Sequence, residues 1–109
     1  MPAPRNHNEK LETLLAREAA IFFEREGNKT ALITVTRVLL SKRGNGATMY
    51  VSAFPADKEK AVFDFINRNL SELREYLRER IKSRNIPRFQ VVADHGEQVR
   101  EDINRLLKQ

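Results

Sequence analysis

The sequence predicts an α+β domain in which helices cover one face of a three-stranded sheet. Apolar residues follow helical or strand periods in the order helix, strand, strand, helix, helix, strand, helix. The strands are few, and the helices suffice to cover only one sheet face. The 109 residues contain no internal repeat or linker, so 7–109 are expected to form one domain behind a flexible segment 1–6.

The first half of the chain predicts a helix followed by a hairpin. Helical spacing runs from about Asn8 to Glu26, and Gly27 follows as a C-terminal stop. The apolar positions of this helix are Leu11, Leu14, Leu15, Ala19, Phe22 and Phe23. Strand patterns follow from Thr30 to Leu40 and from Ala47 to Phe54. Because the polar stretch "SKRGNG" separates them, the two strands are expected to pair as an antiparallel hairpin.

Two helices that meet at a break are predicted next. Pro55 ends the second strand, and Asp57 is expected to cap a helix. That helix carries Val62, Phe63, Phe65 and Ile66. The pattern breaks at "NRNLS", where Ser71 is expected to cap a fresh helix. The apolar stripe of the fresh helix is Leu73, Leu77 and Ile81.

The end of the chain predicts a short strand and a last helix. Pro87 biases Ile86 away from helical geometry and is expected to close the preceding helix. The stretch "RFQVVAD" then predicts a third strand. Helical spacing returns in an added C-terminal helix at Val99, Ile103, Leu106 and Leu107.

Composition limits the classes of function. The chain has no cysteine, which excludes disulfides and thiolate metal sites and favours a reducing compartment. No apolar run approaches the roughly 20 residues that span a bilayer, so we expect a soluble, cytoplasmic protein without a membrane partner. His7 and His95 lie far apart in sequence with no acidic cluster beside them. We therefore expect neither a metal nor another cofactor.

Positive charge is concentrated between Arg68 and Gln90, which hold seven of the basic residues against three acidic ones, a local balance of +4 in a chain of net charge +5. On a helical wheel, Arg74, Arg78 and Lys82 form one row at i, i+4 and i+8. Ion pairs from Glu75 to Arg78 and from Glu79 to Lys82 would compensate this row, and so would a phosphate backbone. Pattern alone leaves a solvated helix and a nucleic-acid-binding helix both open.

Other candidates for RNA contact lie outside this row. Arg80 and Arg84 can pack their stems near the apolar side of the helix, Arg88 opens the third strand, and Lys42 with Arg43 forms a second basic point in the hairpin loop. Tyr50 and Phe54 share one strand face and are candidates for base stacking or for simple cover of the sheet.

Two other classes of function are open. A small nuclease would need carboxylates, and Asp57, Asp64 and Asp94 are available, although their spacing follows no recurrent pattern. A protein-interaction module could dock the basic helix on an acidic partner.

The order helix, two strands, two helices meeting at a break and a third strand resembles a type II KH domain, an RNA-binding fold. Its usual Gly-x-x-Gly loop is absent, since the break here reads "NLSE". A KH domain without that loop resembles the ribosome-binding factor A family. "ITVTRVLLS" followed by "ATMYVSAF" is similar to the family's paired strands, and "RNIPRFQVVAD" is similar to its Arg-x-x-Pro-x-aromatic ending. That ending places Arg84, Pro87, Phe89 and Asp94 in register, and the tail "INRLL" is similar to the family's Ile-Asp-Glu-Leu-Leu.

The resemblance implies a monomeric ribosome biogenesis factor that is not an enzyme. It would bind the immature small (30S) ribosomal subunit, contact 16S rRNA and assist its late maturation and processing. Asn69, Leu70 and Ser71 stand where the family usually has Ala-x-Gly at the helix break, so a close backbone approach at glycine is not expected there. The residues expected to contact RNA are Lys42, Arg43, Arg74, Arg78, Arg80, Lys82, Arg84 and Arg88.

Overall fold

A computed structural model describes residues 6–27, 31–82 and 85–96. Its elements follow the predicted order α-β-β-α-α-β. They are α1 Asn6–Glu26, β1 Leu32–Leu40, β2 Gly46–Phe54, α2 Glu59–Arg68, α3 Leu70–Arg80 and β3 Arg88–Ala93, with a 3-10 turn at Ala56–Lys58 before α2. The predicted C-terminal helix at Val99 to Leu107 and most of the predicted flexible segment 1–6 lie outside the described residues. The assignment to the type II KH class stays a prediction from the resemblance.

β2 is the central strand of the three-stranded sheet, whose order is β1-β2-β3. β1 pairs with β2 antiparallel, from Leu32 opposite Phe54 to Leu40 opposite Ala47. β3 pairs with β2 in parallel, and the α2 and α3 pair forms the crossover that such a parallel connection needs. The register of β1 shifts between Val35 and Arg37, so Thr36 forms a bulge.

The core lies between one face of the sheet and the three helices. Strand residues of alternate parity point to this face, among them Val38, Met49 and Val51. From the helices, the buried members of the same cluster are Leu15, Ala19, Phe22, Phe23, Val62, Ile66, Leu73 and Leu77. Each Val, Leu, Ile, Phe or Met side chain of this cluster contributes about 1.5–3 kcal/mol by leaving water. The other sheet face carries the residues of opposite parity on β1, β2 and β3, and we call it the open face because the helices of the described ranges pack on the opposite side.

The starts of α2 and α3 differ from the predicted caps. Asp57 lies inside the 3-10 turn, which the Lys58 N–H closes by donating to the Pro55 carbonyl over 2.9 Å, so α2 begins only at Glu59. Ser71 lies in the first turn of α3, and Asn69 precedes that helix without a side-chain cap. The predictions of both caps are wrong. The 3-10 turn leads the chain into α2 in place of a cap at Asp57, and Asn69 leads it into α3 in place of a cap at Ser71.

Asn69 is the junction residue between α2 and α3. Its backbone N–H donates to the Ile66 carbonyl at 3.0 Å, and its side-chain Nδ2 donates to the Phe65 carbonyl at 2.8 Å. Its own carbonyl accepts from the Leu73 N–H at 2.9 Å and so opens α3. One asparagine therefore ends α2 and begins α3, and the break needs no glycine.

α3 ends earlier than predicted. Ile81 follows the helix with extended dihedrals, φ −111° and ψ 119°, and its side chain is buried. Ile86 and Pro87 are buried as well, so the chain returns to the core before β3 begins. The prediction that Pro87 closes the helix is wrong, because the burial of Ile81 already turns the chain out of helical geometry several residues before the proline.

Within the described part of the chain, no helix combines the length and apolar character needed to cross a lipid bilayer.

Candidate nucleic-acid interface

The hairpin loop and the start of β3 lie side by side. Gly46 pairs with Arg88 in the parallel ladder, and the Arg88 N–H donates to the Asn45 carbonyl over 3.1 Å. Lys42 and Arg43 are exposed in that loop, and the Arg88 side chain is exposed as well. The structure therefore brings together two basic segments that the sequence keeps far apart.

Ser41 holds the conformation of this loop. Its hydroxyl lies 3.1 Å from Asn45 Oδ1 and accepts a bond from the Gly46 N–H at 3.2 Å. Its carbonyl accepts from the Gly44 N–H at 2.9 Å, and Gly44 has a φ of +75°, a conformation that favours glycine. Because backbone and side-chain bonds already order the loop, a ligand of Lys42 and Arg43 would have little loop entropy to remove.

Arg78 and Arg80 are exposed near the end of α3. Arg78 forms an ion pair with Glu75, which confirms one of the two predicted compensating pairs. Such exposed pairs contribute only about 0.2–1 kcal/mol, so a phosphate can compete for the guanidinium group. The Arg80 guanidinium lies over the Tyr76 ring with 4.9 Å between Cζ and the ring centroid, which restricts its orientation.

Tyr76 positions Arg80, although Tyr76 was not among the site residues predicted from the sequence. Its hydroxyl donates to Glu18 Oε1 on α1 at 3.1 Å, and its ring packs against Phe22 with centroids 5.3 Å apart. Burial and the bond to Glu18 raise the pKa of Tyr76 above its ordinary value of 10.0. The available signal was an aromatic residue four positions before an arginine on one helix, a spacing that brings side chains together.

Arg74 is turned toward the protein. Its Nη2 donates to the Ile86 carbonyl at 3.2 Å, and its Nε is buried without a hydrogen-bond partner. The residue therefore ties α3 to the segment that leads into Arg88.

The predicted row of Arg74, Arg78 and Lys82 is wrong as a helical row. α3 ends at Arg80, so exposed Lys82 lies beyond the helix, and Arg74 faces inward. The described ion pairs do not include the predicted one between Glu79 and Lys82, which needed the helix to continue. Arg84 lies outside the described residues.

We call the six exposed basic residues of the loop, of α3 and its end, and of β3 the basic surface. They are Lys42, Arg43, Arg78, Arg80, Lys82 and Arg88. Of the helix-break residues, Asn69 and Leu70 are half-buried and Ser71 is exposed, so Ser71 is the one that offers its side chain to solvent.

Two of the three carboxylates considered for a nuclease are bonded to neighbouring groups. Asp64 lies 3.4 Å from Lys60 on the same helix, and Asp94 accepts from the Thr36 hydroxyl and from the Gly96 N–H. His95 pairs with Glu59 at 2.8 Å. Within the described ranges, no three His, Cys, Asp or Glu side chains form a group that could hold a metal ion.

The two aromatic candidates of β2 have different surroundings on the open face. Tyr50 is 7% exposed, so its ring has no free surface for a base. Phe54 is 70% exposed at the far end of the same strand. Only Phe54 therefore offers a ring to a ligand.

Comparison with known proteins gives a consistent result. The family model described as ribosome-binding factor A matches residues 7–107. The crystal structure of ribosome-binding factor A from Thermus thermophilus has a TM-score of 0.72 at 29% identity, covering 79% of this chain and 94% of that one. A homology model of the Thermus thermophilus factor, fitted into a cryo-electron-microscopy map of its 30S complex, has a TM-score of 0.68 at 30% identity, covering 76% and 90%.

A more distant structure agrees in fold. The solution structure of a Thermotoga maritima protein has a TM-score of 0.69 at 22% identity, covering 88% of this chain and 94% of that one. No curated protein matches the chain. Because the family model spans residues 7–107, and because two similar structures carry the family's name, the chain belongs to the ribosome-binding factor A family.

Proposed function

We propose that this protein binds the small (30S) ribosomal subunit through its basic surface, contacts 16S rRNA there and assists the late maturation and processing of that RNA without catalysis. The observation that carries the proposal is the match to the ribosome-binding factor A family over residues 7–107. The similar Thermus thermophilus protein has been placed in a 30S complex, which supports the same partner here.

The basic surface has the chemistry that a folded RNA requires. Arginine can hold a phosphate through two parallel hydrogen bonds, and Arg43, Arg78, Arg80 and Arg88 are all exposed. Contacts to phosphates position a protein without reading bases, so the shape of the rRNA would select the site. Arg74 supports the surface by its bond to Ile86, and Arg84 belongs to the proposal on the resemblance alone.

In this proposal the protein acts in the cytoplasm as a monomer and needs no cofactor. The absence of cysteine agrees with a reducing compartment.

Co-sedimentation with mature and precursor small subunits across a salt series tests the proposal. Six phosphate contacts would lower the affinity by about 10³-fold between 50 and 200 mM salt. We expect retention that falls steeply with salt, and we expect the folded double variant Arg43→Glu with Arg88→Glu to be lost from the pellet even at low salt.

Lys58→Glu is the control for a single charge reversal at a distant position. Lys58 is exposed just beyond the other end of β2, about 26 Å along the strand from Gly46, so it lies far from the loop. The control reverses one charge at the opposite end of β2 and should keep most of the sedimentation that the double variant loses. Equal retention of the folded double variant and the wild type would refute the basic surface as the binding site.

A further inference from the structure

The open face carries one exposed apolar pair. Leu32 and Phe54 are directly opposite each other in the β1 and β2 ladder, and they are 65% and 70% exposed. Their neighbours Ile33 and Ala53 pack against the core on the opposite face, so the alternation of strand side chains directs both exposed residues away from the helices. They are the large hydrophobic side chains that the described ranges leave exposed.

Polar groups border this pair along the strands. The next ladder pair is Thr34 and Ser52, which offers two hydroxyl groups. After the bulge at Thr36, exposed Arg37 lies opposite Tyr50, about 13 Å along the strand from Phe54. A flat ring is therefore followed by hydrogen-bonding hydroxyls and then by a cation.

The size of the apolar pair favours a base over a protein partner. A stable protein interface buries about 800 Å² on each side, with an apolar centre, whereas an aromatic side chain buries about 150–250 Å². An isolated pair of side chains that gives way to hydroxyls within one ladder step matches the area of a single nucleobase. Arg37 and the net charge of +5 favour a polyanion as the molecule that carries this base.

We propose that Phe54, with Leu32 beside it, is a stacking platform for one unpaired base of an RNA strand that passes over Thr34 and Ser52 toward Arg37. The inference rests on the proposed function and deepens it, because it assigns a single-stranded segment of the bound RNA to the open face. Tyr50 takes no part, since its ring is buried. The 2′-hydroxyl and phosphate groups of the strand would meet the two hydroxyls and the guanidinium group.

Phe54→Trp provides a direct readout, because the chain contains no tryptophan and the new indole would be its only one. A short single-stranded oligoadenylate should quench the indole emission, and a duplex RNA of similar length should not, since its bases are already stacked. Phe54→Leu is the matched variant, because it keeps an apolar side chain at an exposed position and removes only the ring. Stacking is worth about 5- to 150-fold in affinity, so Phe54→Leu should bind oligoadenylate that much more weakly and Phe54→Tyr should bind it like the wild type.

The outcomes separate this inference from the proposed function. Oligoadenylate affinity that is unchanged in Phe54→Leu overturns the stacking platform, even if the wild-type protein still sediments with small subunits in a salt-dependent manner. Weaker sedimentation of Phe54→Leu with unchanged oligoadenylate affinity would assign Phe54 to a protein contact and would overturn stacking as well. Failure of the wild-type protein to sediment at low salt refutes the proposed function, whereas quenching by oligoadenylate would still support the platform.

Discussion

Arg74 and Arg78 lie one helical turn apart on α3, yet their guanidinium groups have different surroundings. Arg78 is exposed and pairs with Glu75, which the i, i+3 spacing predicts. Arg74 donates to the carbonyl of Ile86, which follows it by 12 residues and returns to the helix only because the chain reverses after Ile81. Sequence spacing therefore predicts contacts within one helix, but it cannot identify a partner supplied by the next segment.

Ionisation of Tyr76 at alkaline pH is expected to lower the free energy of unfolding. Burial, followed by the bond to Glu18, raises its pKa above 10.0 in the folded protein, so the folded state binds the phenolic proton more tightly than the unfolded chain does. This contribution is fully present below about pH 10 and is lost as the pH rises through the raised pKa. We expect Tyr76→Phe to reduce the fall in unfolding free energy above pH 10, as measured by urea unfolding across that range. An identical fall in both proteins would contradict this assignment.

At the scale of elements, period and composition predicted every helix and strand that the structure describes, including the hairpin. Strand alternation also assigned Tyr50 and Phe54 to one side of β2, and the structure buries Met49 and Val51 on the other side. The exact helix ends were less predictable, because Asp57 and Ser71 look like caps in sequence while the backbone turn at Lys58 and the bonds of Asn69 set the real starts. Capping preferences describe an isolated helix, whereas these ends are set by the neighbouring element.

Asn69 joins α2 to α3, and a substitution can test how much its side-chain bond stabilises this junction. Its side chain donates to the Phe65 carbonyl at the end of α2, and its backbone bonds join both helices. Asn69→Ala should lower the free energy of unfolding by about 1 kcal/mol, because the carbonyl loses a half-buried hydrogen bond. Asn67→Ala is the control, since Asn67 makes the same kind of bond to Phe63 but is exposed inside α2, where alanine favours the helix. Urea denaturation of both variants measures the difference, and equal stabilities would show that the junction does not depend on this bond.

For the whole molecule, the sheet separates two surfaces. Three helices bury one face, and Lys42, Arg43 and Arg88 come together at the end of the sheet where the hairpin loop meets β3. These three basic residues could be named from the sequence, but their proximity could not be predicted, because the pairing of Gly46 with Arg88 depends on the parallel addition of β3 to β2. A count of charges alone does not show that the hairpin loop and the start of β3 are neighbours.

The salt dependence of subunit binding can count how many of these residues touch phosphate. Removing one phosphate contact lowers the slope of log affinity against log salt by about one, because one fewer counterion is released. Arg43→Gln with Arg88→Gln should lower the slope by about two, and Arg78→Gln with Lys82→Gln should do the same if one RNA spans the loop and the end of α3. Arg74→Gln is the control, because Arg74 is bonded to Ile86 and its replacement should change stability but not slope. If only the loop pair changes the slope, the end of α3 lies outside the RNA contact and its charge is solvated. If neither pair of substitutions changes the slope in folded protein, the basic surface does not hold the phosphate backbone.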